Sequence, residues 1–432
     1  MTINIKNFLN SNKKISKMGD FQEVKHIAGL QVSAISANLY KDRREDLSLF
    51  YFPEGANYAA AYTKNSIVSE SITWNRENTK NNIKALIVNT KNANTFTGDQ
   101  GLNSLNEISK KLVDVLRKLE TENGYDKSKV KDILFASTGV IGEKFPVEKI
   151  LTNVQNLVEN LRINQNKLIW IKMASAIMTT DTKPKVAFSE IKIGDKIVRI
   201  SGVAKGSGMI APNLATMFSF IFTDADISSL MLNKYLNKVL LNTFNAITID
   251  SDTSTNDMVA IFSTKKIKIK KLNNISSKEA LKFEKALKTV CLDLAKQIVV
   301  DGEGAKKFVT IKIINSESIE RAQKIAFSIA NSPLVKTAIA GEDPNWGRIL
   351  MGIGKAGEEI DSKKIIIKLG DFIVAEKGKI SESYNEEKLK EYMEWDSILI
   401  TVDLKQGKEE YECYTCDFTH DYIDINAHYR RS

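Results

Sequence analysis

Thr216 stands between two unlike stretches. Before it lies a small, flexible, cationic turn, Lys205-Gly206-Ser207-Gly208, and the kinked approach Ala211-Pro212-Asn213-Leu214-Ala215. Pro212 fixes its own φ and biases Ala211 away from helix. After it comes Met217 to Phe222, apolar and aromatic-rich, the pattern of a buried strand. A hydroxyl at such a junction is held rigidly yet stays accessible, which suits a nucleophile, although a Thr opening a strand after a glycine-rich turn is also ordinary. Position adds to the signal. There are 215 residues before Thr216 and 432 − 215 = 217 from it onward. Cutting the Ala215–Thr216 bond would give Thr216 a free α-amine, with a typical pKa of about 7.7–8.0. A base of that strength beside a hydroxyl is the N-terminal-threonine route to nucleophile activation.

Other stretches offer complementary chemistry. Asp132–Ala136 is strand-like and runs into Ser137-Thr138-Gly139-Val140-Ile141-Gly142. Such a strand-to-turn exit leaves backbone N–H groups to serve an oxyanion, or is a plain turn. Asn89 to Gly98 is an Asn/Thr/Gly loop, Met178-Thr179-Thr180-Asp181-Thr182 a hydroxyl cluster, Asp250 to Asp257 a dense polar loop, and Asp301-Gly302-Glu303-Gly304-Ala305 a turn containing acids. A site assembled from several loops explains this richness economically. Cys413-Tyr-Thr-Cys416, with His420 and His428 downstream, can be drawn as a zinc quartet. It lacks a second CxxC and alternates like a strand, so no metal is expected.

The elements that must position these residues alternate. Strands are expected at Gln31–Ala37, Leu47–Phe52, Tyr58–Thr63, Ile83–Val88, Val186–Ile191, Lys196–Val203, Met258–Ser263 and Phe308–Ile314. Helices are expected over Leu102–Leu119, from Pro146 to about Leu161, Leu168–Thr179, Ile227–Ala246, from a Ser276-x-x-Glu279 capping box to about Val299, Ser318–Ala330, and near Glu386–Trp395. The pattern predicts an α/β fold, mixed sheets sandwiched between outer helix layers. The organisation expected is a polar arm over 1–20, a first half over 21–215 and a second over 216–432.

Bulk properties narrow the function. Net charge is 62 − 53 = +9, but the basic residues are interleaved with acids, as in KKLVDVLRKLE, with no Arg-rich aromatic block. A solvated lysine-rich surface accounts for it better than a nucleic-acid surface. No apolar run approaches the roughly 18–20 residues of a membrane span, and the first 21 residues have no continuous apolar core of a secretory signal. Three cysteines do not make a disulfide framework. The expected location is the cytoplasm.

NTKNANTFTG, STGVIG, AIMTTDT, AKGSGMIAPNLATM, DTSTND, DGEGA, SPLVKTAIAGEDPNWGRILMGIG and the INAHYR tail occur in this order over residues 89–430. Together they resemble the ornithine acetyltransferase family, the glutamate N-acetyltransferases of arginine biosynthesis. The resemblance implies a self-cleaving, N-terminal-nucleophile-like architecture cut between Ala215 and Thr216, with Thr216 as nucleophile. It implies Thr138 and Gly139 as the oxyanion pair, and Thr179, Lys205, Thr216, Glu303 and Asn426 as substrate-binding positions. Thr179 is preferred over Thr180 on alignment. Ser432 joins the substrate set one place further along than the family's hydroxyl, because Arg431 occupies the place five residues after Asn426. The implied reaction moves acetyl from N2-acetylornithine to glutamate by double displacement, in an α2β2 heterotetramer of the two fragments. It needs no metal or cofactor, and acetyl-CoA enters only if glutamate is also acetylated directly. From charge, Lys205 and Asn426 suit the substrate α-carboxylate and Glu303 the cationic end of ornithine. The competing expectation is an aminopeptidase or amide hydrolase on a related self-cleaving scaffold, in which water resolves the acyl-enzyme.

Overall fold

The computed structural model describes residues 23–78, 82–211 and 217–427. The strands are β1 (Gln31–Ile35), β2 (Leu47–Tyr62), β3 (Asn82–Asn89), β4 (Ile133–Ser137), β5 (Lys185–Ile193), β6 (Lys196–Lys205), β7 (Phe218–Ala225), β8 (Met258–Ile267), β9 (Phe308–Ser316), β10 (Ile366–Leu369), β11 (Phe372–Glu376), β12 (Lys379–Ile380), β13 (Ser397–Asp403) and β14 (Glu409–Cys416). The helices are α1 (Glu70–Asn78), α2 (Gly98–Asn123), α3 (Val147–Glu159), α4 (Lys167–Ala176), α5 (Ser229–Leu240), α6 (Lys278–Val300), α7 (Ile319–Ala330), α8 (Pro333–Ala340), α9 (Trp346–Gly354), α10 (Glu386–Met393) and α11 (His420–Ala427).

One sheet has the order β4-β3-β2-β8-β7-β6-β5, with β1 on β2; the other has the order β12-β11-β10-β13-β9-β14. In the first, β3 with β4 and β7 with β8 are parallel, and the other pairs antiparallel. The expected strands Leu47–Phe52 and Tyr58–Thr63 are one strand, β2, whose pairing with β3 slips between Tyr51 and Ala56. Pro53 has no N–H to give the ladder, and Gly55 takes φ 72° there. This irregularity turns the sheet, so that its two halves face each other across a shared aromatic core.

Period-two alternation assigns the faces. Phe218, Phe220 and Phe222 of β7 point into that inner core with Phe50, Phe52 and Phe262, whereas Ile221 points to the opposite face. Rings from the two halves meet directly: Phe50 and Phe222 lie 4.9 Å apart, and Phe222 and Phe262 5.3 Å. Each fully buried Phe contributes about 1.5–3 kcal/mol. Trp170 of α4 closes the core against Phe222 at 5.8 Å. Outside, α2 and α3 cover the β1–β4 half, and α5 and α6 the β5–β8 half. The mixed sheets between outer helix layers are thus as the alternation predicted. Strands from both sides of the Ala215–Thr216 bond pair in this one sheet, β6 with β7 and β2 with β8.

Several boundaries differ from expectation. Helix α1 has no apolar stripe; it docks through polar groups, Trp74 Nε1 donating to Ile133 O (3.0 Å) and Asn75 bonding both Phe135 O and Phe135 N (2.8 and 2.9 Å). These contacts satisfy the free backbone of edge strand β4. The cap of α6 is Ser277, whose Oγ accepts from Ala280 N at 3.0 Å; Ser276 is drawn into a turn by Asn274. Helix α4 stops at Ala176 and α5 at Leu240. The stretch read as a C-terminal tail begins as helix α11, none of whose residues is buried. Cys413 and Cys416 are buried in β14 as free thiols. Among the described residues no helix is long and apolar enough to cross a membrane.

Candidate active site

Because the two halves of the large sheet face each other, the ends of β4 and β6 and the start of β8 come together at one edge. Ser69 N donates to Thr255 O (2.8 Å), Thr95 Oγ1 lies 3.1 Å from Thr255 Oγ1, and Asn256 Nδ2 donates to Ser137 O. Between these ends opens a cleft of about 240 Å³ lined by Thr138, Gly139, Val140, Ile141, Thr179, Thr180, Lys205, Ser207, Gly208, Met209, Asn256, Glu303 and Asn426. The structure therefore brings together Thr138, Gly139, Thr179, Lys205, Glu303 and Asn426 from distant parts of the chain. Ala215, Thr216 and Ser432 lie outside the described residues. The nearest described neighbour of Thr216 is Met217, and Asp257, next to the cleft residue Asn256, holds Met217 N at 2.7 Å.

The Thr138–Gly139 turn continues β4. Thr138 N is already committed to Asn89 O (3.1 Å), and Val140 N to Lys91 O (3.0 Å). Gly139 N has no acceptor among the described residues. The donors this turn offers the cleft are thus the Thr138 hydroxyl and the Gly139 N–H, not two successive amides. Gly139 sits at φ 136°, and a Cβ there would fall 2.1 Å from Lys91 C and 2.5 Å from Asn92 N. Only glycine fits a backbone so closely approached.

Lys205, at the end of β6, is 3% exposed, and its Nζ donates to Thr179 Oγ1 at 3.2 Å. Burial pushes this ammonium below its usual range, against the negative charges of Asp181, Asp257 and Glu303. Behind it lies a fully buried ion trio. Lys185 Nζ is 2.7 Å from Asp181 Oδ1 and 2.6 Å from Asp301 Oδ2. Burial would raise the Asp181 carboxyl, but Lys185, Lys205 and the Gly206 N–H (2.6 Å) outweigh it and hold it down at about 2. Asp181 also accepts from Thr179 N (3.1 Å) and Asp301 from Thr182 N (3.0 Å). The trio thus fixes both the 179–182 and 205–208 loops.

In the same cleft, Glu303 N donates to Ser207 O (2.7 Å), and Asn426 Nδ2 donates to Glu303 Oε2 (2.8 Å). Burial raises the Glu303 carboxyl, opposed by hydrogen bonds from Asn426 and Thr180. Thr180 Oγ1 also meets Ser207 Oγ at 2.8 Å. The two threonines therefore divide: Thr179 beside Lys205, Thr180 beside Glu303. Asn426 likewise sits with the acid, although charge alone grouped it with Lys205. Helix α11 carries it there, anchored by Tyr422 OH to Asp250 Oδ2 (3.2 Å) and Thr419 Oγ1 to Gly304 O (2.7 Å). The cleft thus holds a buried cation, a buried carboxylate and a pair of donors. That arrangement suits a zwitterionic amino-acid derivative.

Sequence reasoning did not single out Asn256, Ser207 or the Asp181–Lys185–Asp301 trio. The polar run Asp250–Asp257 was the signal for Asn256. Nothing local marks Lys185, whose partners lie 4 and 116 residues away.

The chain matches the model of the ArgJ family over residues 31–431. It is 41% identical over 405 residues to the arginine biosynthesis bifunctional protein ArgJ of Gluconobacter oxydans, covering 94% of this chain and 92% of that one. It is 40% identical over 409 residues to the protein of the same name from Zymomonas mobilis, covering 94% and 96%. A crystal structure of arginine biosynthesis bifunctional protein ArgJ from Bacillus halodurans is 37% identical and covers 48% of this chain and 97% of its own, with a TM-score of 0.46. Ornithine acetyltransferase complexed with ornithine from Mycobacterium tuberculosis is 25% identical, covering 44% and 96%, with a TM-score of 0.37.

Proposed function

This chain belongs to the ArgJ family, and from that premise we propose that it is a glutamate N-acetyltransferase of arginine biosynthesis that cuts itself before Thr216. The observation that carries the reading is the convergence of Thr138, Gly139, Thr179, Lys205, Glu303 and Asn426 on one cleft that holds both a cation and a carboxylate.

Thr216 Oγ attacks the acetyl carbonyl of N2-acetyl-L-ornithine while the Thr216 α-amine takes the hydroxyl proton. The oxyanion receives the Thr138 hydroxyl and the Gly139 N–H; a donor of this kind is worth about 2.7–4 kcal/mol. Collapse of the adduct expels ornithine, whose departing nitrogen takes the proton back from the α-ammonium. The acetyl-Thr216 ester remains. Glutamate enters the same cleft, its amine attacks the ester, and N-acetylglutamate leaves. Lys205, with Thr179, binds the α-carboxylate common to both substrates. Glu303, held by Asn426 and Thr180, binds the side-chain ammonium of ornithine. Acetyl-CoA would charge the same Thr216 in the bifunctional form of the reaction. The expected assembly is two copies of each fragment.

Intact mass under denaturing conditions, with glutamate-dependent release of ornithine, tests the reading. Two fragments, the second beginning at Thr216, and ornithine release that needs glutamate are expected. Thr216→Ala should give neither. A cut Thr216→Ala chain, or hydrolysis of acetylornithine without glutamate, would overturn the assignment.

A further inference from the structure

Asn256 lines the cleft, is 8% exposed, and has no part in the acetyl transfer set out above. Its Nδ2 donates to Ser137 O, the carbonyl directly before Thr138. Its Oδ1 accepts from the Ser254 hydroxyl at 2.6 Å, and its own backbone N–H donates to Ser254 Oγ at 3.2 Å. The hydroxyl donor thereby turns the amide so that its nitrogen, not its oxygen, faces the Ser137 carbonyl. Ser254 is held in turn, since Thr63 Oγ1 donates to Ser254 O at 2.7 Å.

The Ser137 carbonyl and the Thr138 N–H belong to one planar peptide group. Thr138 N donates to Asn89 O at 3.1 Å, on the β3 side. The Ser137 side chain is fixed from the same half, donating to Asn89 Oδ1 at 2.7 Å and meeting Ser71 Oγ at 2.8 Å. Asn256 grips the opposite edge of that plane from the start of β8. In a flat sheet β4 and β8, with β3 and β2 between them, would stand about 14 Å apart; the bend of β2 closes the gap to one hydrogen bond. We infer that Asn256 is a positioning residue for the oxyanion pair. By holding the Ser137 carbonyl it sets the tilt of the Ser137–Thr138 peptide, and so the direction in which the Thr138 hydroxyl and the Gly139 N–H meet the developing charge. This rests on the acetyl-transfer reading above. Asn256 neither gives nor takes a proton in the reaction.

Asn256→Asp keeps the shape and the acceptor for Ser254, and puts an oxygen against the Ser137 carbonyl. With kcat counted per cut chain, glutamate-dependent ornithine release should slow about 10- to 100-fold, the effect of a misplacement of about 1 Å. KM for acetylornithine should stay within about threefold, because the Lys205 and Glu303 contacts are untouched. A merely structural role would lower the urea midpoint without this split. Thr138→Ala removes one of the two donors and should cost about 10²–10³ in kcat. Since N256D acts by misaiming a donor that T138A lacks, the double variant should lose clearly less than the product of the single losses. Losses that simply multiply, or N256D with wild-type kcat, would overturn the assignment. If N256D folds poorly or stays uncut, Ser254→Ala carries the test: the amide remains but loses its orientation, kcat should fall about 3- to 10-fold, and a wild-type value refutes the placement. The wild-type chain in parallel separates the two readings. If it is neither cut nor active, the proposed function fails; if it is both and N256D matches it, only the Asn256 assignment fails.

Discussion

Gly208 offers a sharp test of the cleft carboxylate. A Cβ built there would fall 2.3 Å from Glu303 Oε2, 2.5 Å from Cδ and 2.7 Å from Oε1. Gly208 does not use a positive φ, so Gly208→Ala strains no backbone. What must move is the carboxylate, the far end of a flexible side chain. Restoring an ordinary contact of 3.4 Å from 2.3 Å requires Oε2 to retreat by about 1.1 Å. The 2.8 Å bond from Asn426 cannot survive that retreat. The charge-assisted contact from Glu303 to the ornithine ammonium would be lost with it, a matter of about 1.5–3 kcal/mol. Since about 1.4 kcal/mol is tenfold, KM for acetylornithine should rise about 10- to 150-fold. Initial-rate assays of glutamate-dependent ornithine release give KM and kcat separately. The same assay with N2-acetylnorvaline, which lacks the terminal amine, should show little difference between G208A and wild type. An unchanged KM for acetylornithine, or an equal rise for both substrates, would refute the role given to Glu303.

Two further outcomes test the scaffold. Lys185→Met leaves Asp181 and Asp301 buried without their shared counter-charge; breaking a buried pair in this way costs about 3–5 kcal/mol, measurable as a lower urea midpoint, and a loss under about 1 kcal/mol would count against the trio. Burial raises the Asp224 carboxyl to about 6, although Arg199 N donates to it at 2.9 Å. Its folded pKa is above its unfolded one, so between pH about 4 and 6 the native state binds more protons and stability falls as pH rises through that window. Asp224→Asn should abolish this slope, gaining on wild type from pH 4 to pH 7; parallel urea titrations that keep a constant gap would disprove it.

The β7 run was legible because a short apolar, aromatic-rich stretch announces a buried strand, and the strand-to-turn exit at Thr138 was legible from its Thr-Gly chemistry. Thr138 and Gly139 were named as donors, but which of their groups remain uncommitted depends on Asn89 and Lys91, and only pairing with β3 reveals it. Helix α1 escaped notice because it docks through Trp74 and Asn75 hydrogen bonds, and hydrophobic periodicity does not see polar docking. The bend of β2 at Pro53–Gly55 carried a turn signal, read as a break between two strands; whether a ladder stops or merely slips there depends on β3 and β8, tens to hundreds of residues away. Lys185 illustrates the limit most plainly. In sequence it is one more lysine in a basic chain, and its burial between two aspartates belongs to the tertiary fold.

The pairing of β6 with β7 and of β2 with β8 has a thermodynamic consequence. In an uncut chain the two sides of residue 215 are tethered, and unfolding is unimolecular. Once the tether is severed, the same ladders and the same aromatic core become a subunit interface, and unfolding turns into dissociation. The melting point then rises with protein concentration, and refolding becomes a bimolecular encounter between two strangers. A single hydrolysed bond would thus convert a self-contained molecule into an obligate complex without changing one contact in its interior.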